Sequence, residues 1–418
     1  MLTSRALVPL VLCLLALGAS AQTPSVAPPR PGQTPIEFWH SMGGPAGDSL
    51  ARLTDGFNRG QDRCRVTPVF QGSYSDTRLK LIAALARPDA PAIFQAELTQ
   101  VPAFALARPP VVRALDDLVA SLPADLTADI IPAVWEYGVF DERRYALPFN
   151  TSTPVLYFNA DRFRALGLPG PPATWDEFAE YARRLSDRRR GVVGYIAVAE
   201  PWTFETMVST RGGSLVTADG RPDLNSPVAI AVATFVQDLI RERSAIGRSL
   251  GQQTFAQLDF VRGKGMMIIG SIANWPAARH LSILFELGVG PIPAGTTNQV
   301  PFGGANLLVS ARTDDAQARC ALEYWRWLAE VPQVVAWVEA SYYVPIRRAA
   351  LPELRSFYAE DPRRKAAFEQ IGNARSRPRH PQIATWAIFL QEALEAIYIG
   401  MRDPRQELDQ AQRRALQP

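Results

Sequence analysis

The sequence predicts an α/β protein of two domains behind an export signal. The prediction rests on an apolar amino-terminal leader, a chain too long for one core, and an early strand–helix rhythm. Single hydrophobic cores stop growing beyond about 250–300 residues, and this chain has 418. Its composition, 47% hydrophobic and 20% charged, is that of an ordinary globular protein.

The amino terminus comes first. Residues 1–5 carry one positive charge, and 6–18 form an apolar run that is short of the roughly 20 residues a membrane helix needs. Ala19-Ser20-Ala21 then places small residues before Gln22, the pattern a signal peptidase reads. Residues 1–21 are therefore expected to be a cleaved signal peptide, and the mature chain to be periplasmic or extracytoplasmic. A lipoprotein would need a cysteine behind a small residue, but Cys13 follows Leu12 inside the apolar run. No second segment is apolar and long enough to cross a membrane. Residues 22–35, rich in Pro, Ser and Thr, read as a flexible leader.

Ile36-Glu37-Phe38-Trp39 reads as a strand. After a Gly-Gly-Pro turn, Leu50, Leu53 and Phe57 recur at helical spacing. Residues 66–70 form the next strand. Leu79, Ile82 and Leu85 or Ala86 mark one side of a helix over 77–86, and 92–96 is a strand ending at Glu97. This rhythm belongs to a parallel sheet covered by helices. Ligands sit beyond the carboxyl ends of such strands, which is where Glu97 falls.

The stretch 145–159 is rich in β-formers but broken by Pro148 and Pro154. Proline is poorly tolerated in a central strand, so the segment is expected to cross between two sheets. Thr174-Trp175-Asp176-Glu177 has the form of a capping box; it opens a helix through Phe178, Tyr181 and Leu185 in a second α/β unit. Strands follow at 266–271, 287–293 and 302–309. The tail from 381 to 416 reads as two helices, the first lined by Trp386, Phe389, Leu390, Ala393 and Ile397.

A formal net charge of +3 without basic clusters argues against a nucleic-acid partner. Arg143–Arg144 and Arg188–Arg190 read as solvated surface. Beyond Cys13 only Cys64 and Cys320 remain. A single disulfide is possible in an oxidising compartment, but with nothing local to pair them two free buried thiols are expected. His40, His280 and His380 are far apart, so no metal site and no cofactor are expected. His40, beside Trp39 at a strand end, is read as orienting a loop rather than touching a ligand.

Several runs together carry a resemblance. Phe38-Trp39-His40-Ser41, Gly72-Ser73-Tyr74, Pro91-Ala92-Ile93-Phe94-Gln95 and above all Pro148-Phe149-Asn150-Thr151-Ser152-Thr153-Pro154-Val155-Leu156-Tyr157 resemble the family 1 extracellular solute-binding proteins of ABC importers. Gly303-Gly304, Tyr343-Val344-Pro345-Ile346 and Pro381-Gln382-Ile383 continue the match in order, most closely with the family's glycerol-phosphate binders.

The resemblance implies a two-lobed periplasmic-binding-protein fold (type II-like), its lobes joined by three crossing segments near 148–154, 300–304 and 341–346. The first lobe would be 36–150 plus 304–341, and the second 151–303 plus 342–418. It implies ligand contacts from Tyr74, Glu97, Ser152, Ser271, Gly304 and Tyr343. Hydroxyls and a backbone amide at glycine suit a polyol or a phosphate, and the Glu97 carboxylate accepts from ligand hydroxyls. The expected partners are a small-molecule ligand and the importer's membrane subunits, with the chain itself a monomer. The ligand would be a glycerol phosphate, a glycerophosphodiester or a saccharide.

One position departs from the pattern. The glycerol-phosphate binders follow Pro-Gln-Ile with an Arg that pairs with phosphate; here Ala384 stands there. That removes a charge-assisted contact worth about 1.5–3 kcal/mol, which Arg375, Arg377 or Arg379 would have to replace. A Trp of the same pocket is also replaced near Ala199, with Trp202 close by. No Gly-x-Ser-x-Gly elbow, Walker loop or dinucleotide fingerprint occurs, and Glu97 lacks the partner carboxylate a glycosidase needs. An exported hydrolase is therefore the weaker reading, and no enzymatic activity is expected.

Overall fold

The computed structural model describes residues 28–417. The expected signal peptide, and residues 22–27 of the expected leader, lie outside the described residues. Two five-stranded sheets organise the rest.

The first sheet has the order β2–β1–β3–β10–β4, with β1 Thr34–His40, β2 Cys64–Phe70, β3 Ile93–Glu97, β4 Ala146–Ser152 and β10 Gly303–Val309. β1 runs parallel to β2 and β3, whereas β10 is antiparallel to both β3 and β4. The second sheet has the order β9–β5–β8–β6–β7. Its strands are β5 Pro154–Asn159, β6 Val193–Ala199, β7 Ala245–Ser249, β8 Gly265–Ser271 and β9 Leu287–Gly290. Here β5 is antiparallel to its two neighbours, and β8, β6 and β7 are parallel. The α/β expectation holds, and the chain passes between the sheets at Thr153.

The two prolines of that passage sit where a sheet tolerates them. Pro148 lies in β4, the edge strand, opposite a register shift between Ala305 and Asn306, and its carbonyl accepts the indole N–H of Trp325 at 2.7 Å. Pro154 is the first residue of β5. Neither position asks the missing N–H to pair inside a ladder. Residues 146–152 and 154–159 thus form two fully buried strands, one in each sheet, and the segment crosses between the sheets as expected.

Helix α1, Gly44–Gly60, buries Leu50 and Phe57 as expected. Of the apolar side expected for α2, Tyr74–Ala84, only Leu85, just past its end, is buried. Thr77 and Leu81 are buried while Leu79 and Ile82 are 65% and 55% exposed. Ser73 accepts from the Asp76 N–H and Asp76 from the Ser73 N–H; this cap sets the rotation of the helix, and Thr77 bonds Ser41 across it. At α3, Trp175–Leu185, Thr174 accepts the Glu177 N–H as expected, but the Glu177 carboxylate takes the Ala173 N–H instead of reaching back to Thr174.

Cys64, at the start of β2, and Cys320, on α8 (Asp315–Leu328), form a disulfide with a Cα–Cα distance of 5.7 Å. The expectation of free thiols is therefore corrected: packing of α8 on the first sheet closes a separation of 256 residues that no local pattern announces. Arg144 is likewise not solvated surface. It is buried, with its guanidinium 3.6 Å from the Trp135 ring centre and donating to the Trp135 carbonyl at 2.9 Å.

His40 closes β1 with its ring between Phe38 and Phe70, and its Nδ1 accepts the Met42 N–H at 3.2 Å. Burial pushes its pKa down from 6.5 to about 4. The unfolded chain thus binds a proton below pH 6.5 that the folded chain refuses. Stability should fall as pH drops from 6.5 towards 4, by about 1.4 kcal/mol per unit at most. Urea unfolding of the wild type and His40→Gln at pH 7 and pH 4.5 checks this; an identical pH slope in the variant refutes it.

Candidate functional site

A cavity of about 940 Å³ opens between the two sheets, and all six site residues expected from the sequence line it. Ser152 ends β4 and stands opposite Gly303, while Gly304 stands opposite Thr151. Val344 donates its N–H to the Thr151 carbonyl at 2.8 Å, which brings the segment after α9 (Val331–Ser341) beside β4 and sets Tyr343 at the same place. Backbone pairing, not side-chain chance, draws Ser152, Gly304 and Tyr343 together.

Gly304 adopts φ +105°, and a Cβ there would overlap the Asn150 carbonyl; only glycine fits this turn of the chain. A Cβ at Gly303 would meet the Trp202 ring at 2.6 Å and the Ser152 hydroxyl at 2.7 Å. Trp202, on α4 (Pro201–Thr210), is anchored by its indole N–H to the Phe302 carbonyl at 3.2 Å. The Ser152 hydroxyl has no hydrogen-bond partner among the described residues although the residue is buried. Buried hydroxyls are normally satisfied, and this one faces a cavity.

Tyr74 and Tyr343 are held by a chain of buried amides. The Ser41 N–H donates to Gln95, Gln95 to Asn150 at 2.7 Å, and Asn150 to the Tyr74 hydroxyl at 3.0 Å. Tyr343 stacks on Trp337 with an interplanar angle of 8°. Burial, and then the neighbouring Tyr343 phenol, push the Tyr74 pKa up; burial alone raises that of Tyr343. Both phenols stay protonated and are able to donate. Ser271, the last residue of β8, is less free: its hydroxyl accepts the Ala273 N–H at 3.2 Å and its carbonyl accepts the Tyr157 phenol at 2.7 Å.

Glu97 lines the cavity but is already engaged. One oxygen accepts from Arg377 at 2.9 Å, and the other from the N–H and hydroxyl of Thr99. Arg377 also donates to Glu205 of α4 at 2.6 Å, so it ties the first sheet's β3 to a helix that follows the second sheet's β6. Of the three arginines before Pro381, only this one reaches the cavity; Arg375 and Arg379 are exposed and bond to backbone carbonyls. Burial lowers the Arg377 pKa, but Glu205 and Glu97 outweigh it and hold the guanidinium charged. Burial raises the pKa of Glu205, and likewise that of Glu200, whose carboxylate accepts the Trp202 and Thr203 N–H groups at the start of α4.

The wall contributed by the second sheet and its helices is mostly apolar, with Val198, Phe260, Ile268, Ala384 and Ile388. Ala384 is buried on α10, Ile383–Tyr398. No group of His, Cys, Asp and Glu suited to a metal ion occurs among the described residues.

Residues 44–334 match the model of the bacterial extracellular solute-binding proteins. The chain belongs to that family. This binding protein is 30% identical over 408 residues to the sn-glycerol-3-phosphate-binding periplasmic protein UgpB of Pectobacterium atrosepticum, covering 90% of this chain and 89% of that one. It is 26% identical to the Brucella abortus protein of the same name, covering 91% and 92%. Among solved structures, UgpB of Mycobacterium tuberculosis in complex with glycerophosphocholine superposes with a TM-score of 0.80 at 23% identity, over 92% of this chain and 98% of that one. The GacH receptor of Streptomyces glaucescens, solved unliganded and with acarbose, gives 0.81 at 20% identity, covering 92% and 98%. The fold is the two-lobed one of solute-binding proteins, as the resemblance implied. The binding protein serves an ABC transporter, carries a small-molecule ligand to its membrane subunits, and is not an enzyme; its relatives are exported.

The sequence did not single out Asn150, Gln95, Glu205 or Arg78. Polar residues inside otherwise apolar strands and helices were the available signal for the first three. Arg78 gives none, because a single Arg on a helix reads as surface.

Proposed function

We propose that this binding protein captures a solute bearing glycerol- or sugar-type hydroxyls between its lobes, with glycerophosphodiesters ahead of glycerol 3-phosphate. One observation carries the preference. The buried cation of the cavity, Arg377, is spent on Glu97 and Glu205, and Ala384 supplies none. A phosphate dianion brought beside this excess of carboxylate would stay uncompensated. Polyol hydroxyls meet better partners in Ser152, Tyr74, Tyr343 and the backbone at Gly304. The names of the curated relatives and the glycerophosphocholine complex support the glycerol moiety.

An oligosaccharide is the second reading, favoured by the volume of about 940 Å³ and by an apolar wall against which sugar faces pack. In either case the lobes 36–150 plus 304–341 and 151–303 plus 342–418 act as the moving bodies. Ligand bridges them and shifts the population towards the closed form. The protein works as a monomer, exported after cleavage of residues 1–21.

A thermal-shift screen over glycerol phosphates, glycerophosphodiesters and di- or trisaccharides tests this. A glycerophosphodiester should raise the melting temperature most, and small-angle scattering should show a smaller radius of gyration at saturation. Stabilisation by glycerol 3-phosphate alone, or an unchanged radius with bound ligand, would refute the reading. Turnover of a ligand would instead expose a hydrolase.

A further inference from the structure

Two basic residues line the cavity, and their circumstances are opposite. Arg377 is buried, with 7% of its side chain exposed, and is shared between two carboxylates. Its charge is consumed inside the protein. Arg78 lies on α2, one helical turn beyond Tyr74, so both side chains leave the same face of the helix. It is half-buried, and its guanidinium has no hydrogen-bond, ion-pair or ring partner among the described residues. The second-lobe wall offers Ala384 and Ile388, and its one basic residue, Arg377, is already paired.

We propose that Arg78 recognises the anionic group of the ligand, a singly charged phosphodiester, from the first lobe in place of the cation absent at Ala384. The proposal rests on the reading of the cavity as a polyol site and names the class of its ligand. A guanidinium presents a planar fork matched to two phosphate oxygens. One such fork balances one negative charge; a phosphomonoester dianion would retain a charge in a cavity that Glu97 and Glu200 also line, with Arg377 already shared between Glu97 and Glu205. A neutral saccharide offers Arg78 hydroxyl acceptors but no charge to balance. Because the side chain is partly solvated, it meets the anion before the lobes close, and salt should weaken that encounter within a Debye length of about 8 Å at physiological ionic strength.

Calorimetry on the wild type, Arg78→Gln and Arg78→Lys tests the assignment, with glycerophosphoglycerol as the charged probe and glucosylglycerol as the neutral one. Arg78→Gln should bind glycerophosphoglycerol about ten- to a hundredfold more weakly and lose much less affinity for glucosylglycerol, whose contact with Arg78 carries no charge. Arg78→Lys, keeping the charge without the fork, should fall between. Added sodium chloride should weaken binding of the charged probe to the wild type and much less to Arg78→Gln. Unchanged affinity for glycerophosphoglycerol in Arg78→Gln, or equal loss for both probes, overturns the proposal. Wild-type binding of glucosylglycerol without glycerophosphoglycerol overturns it too while sparing the polyol site. Binding of neither probe removes the polyol site itself, and the proposal with it.

Discussion

Arg377→Met should lower stability by about 3–5 kcal/mol, the cost of breaking a buried ion pair by removing one partner. Glu97 and Glu205 would be left buried without their guanidinium. They escape by taking up protons; burial already pushes the Glu205 pKa up, and loss of the guanidinium pushes it further. A raised carboxylate pKa means that the folded chain holds protons the unfolded chain has released, and stability then falls as pH climbs. The loss should therefore be smaller near pH 5 than near pH 8. Combining Arg377→Met with Glu97→Gln and Glu205→Gln should recover most of it, because neutral groups carry no Born penalty. Urea unfolding at the two pH values measures both effects. A loss under about 1 kcal/mol, or one independent of pH, would mean that the cluster is more solvated than its geometry implies.

Reduction of Cys64–Cys320 should cost a comparable amount. The bond closes a loop of 256 residues, and loops of that size sit at the upper end of the usual disulfide contribution of about 2–5 kcal/mol. It ties the second strand of the first sheet to α8, so the first lobe bears the loss. Neither sulfur lines the cavity, and ligand affinity under native conditions should be unaffected. Unfolding of Cys64→Ala/Cys320→Ala and of the wild type with and without reductant measures it. A wild-type midpoint insensitive to reductant would show that the bond does not form in solution.

Much of the fold was legible because it is local. Leu50 and Phe57 recur at helical spacing and are buried; 266–271 and 302–309 are apolar runs, and strands occupy them almost residue for residue. The misreadings share one cause. Leu79 and Ile82 look like a core face, yet the cap at Ser73 and the tertiary bond from Thr77 turn them outward. Pro148 and Pro154 look like strand breakers, yet one lies on an edge strand and the other begins a strand. Edge position is a property of the assembled sheet and has no signature in the residues themselves.

The site divides in the same way. The family resemblance named six positions, of which Glu97 was also marked by its place at a strand end, and one cavity contains them. The charge state of that cavity was not legible. Glu97 reads as an acceptor for a ligand, but the fold gives it Arg377, which is 280 positions away in sequence. Arg375, Arg377 and Arg379 alternate along one extended stretch, and only packing decides which of them turns inward.

The sequence by itself determined many of the secondary elements, the α/β class and the family, because hydrophobic period and short motifs act over a few neighbouring residues. The tertiary structure decided the disulfide, the Arg377 cluster and the unpartnered Arg78. Each of these depends on distances between segments hundreds of residues apart, and Coulomb and desolvation energies follow those distances, not the order of residues along the chain.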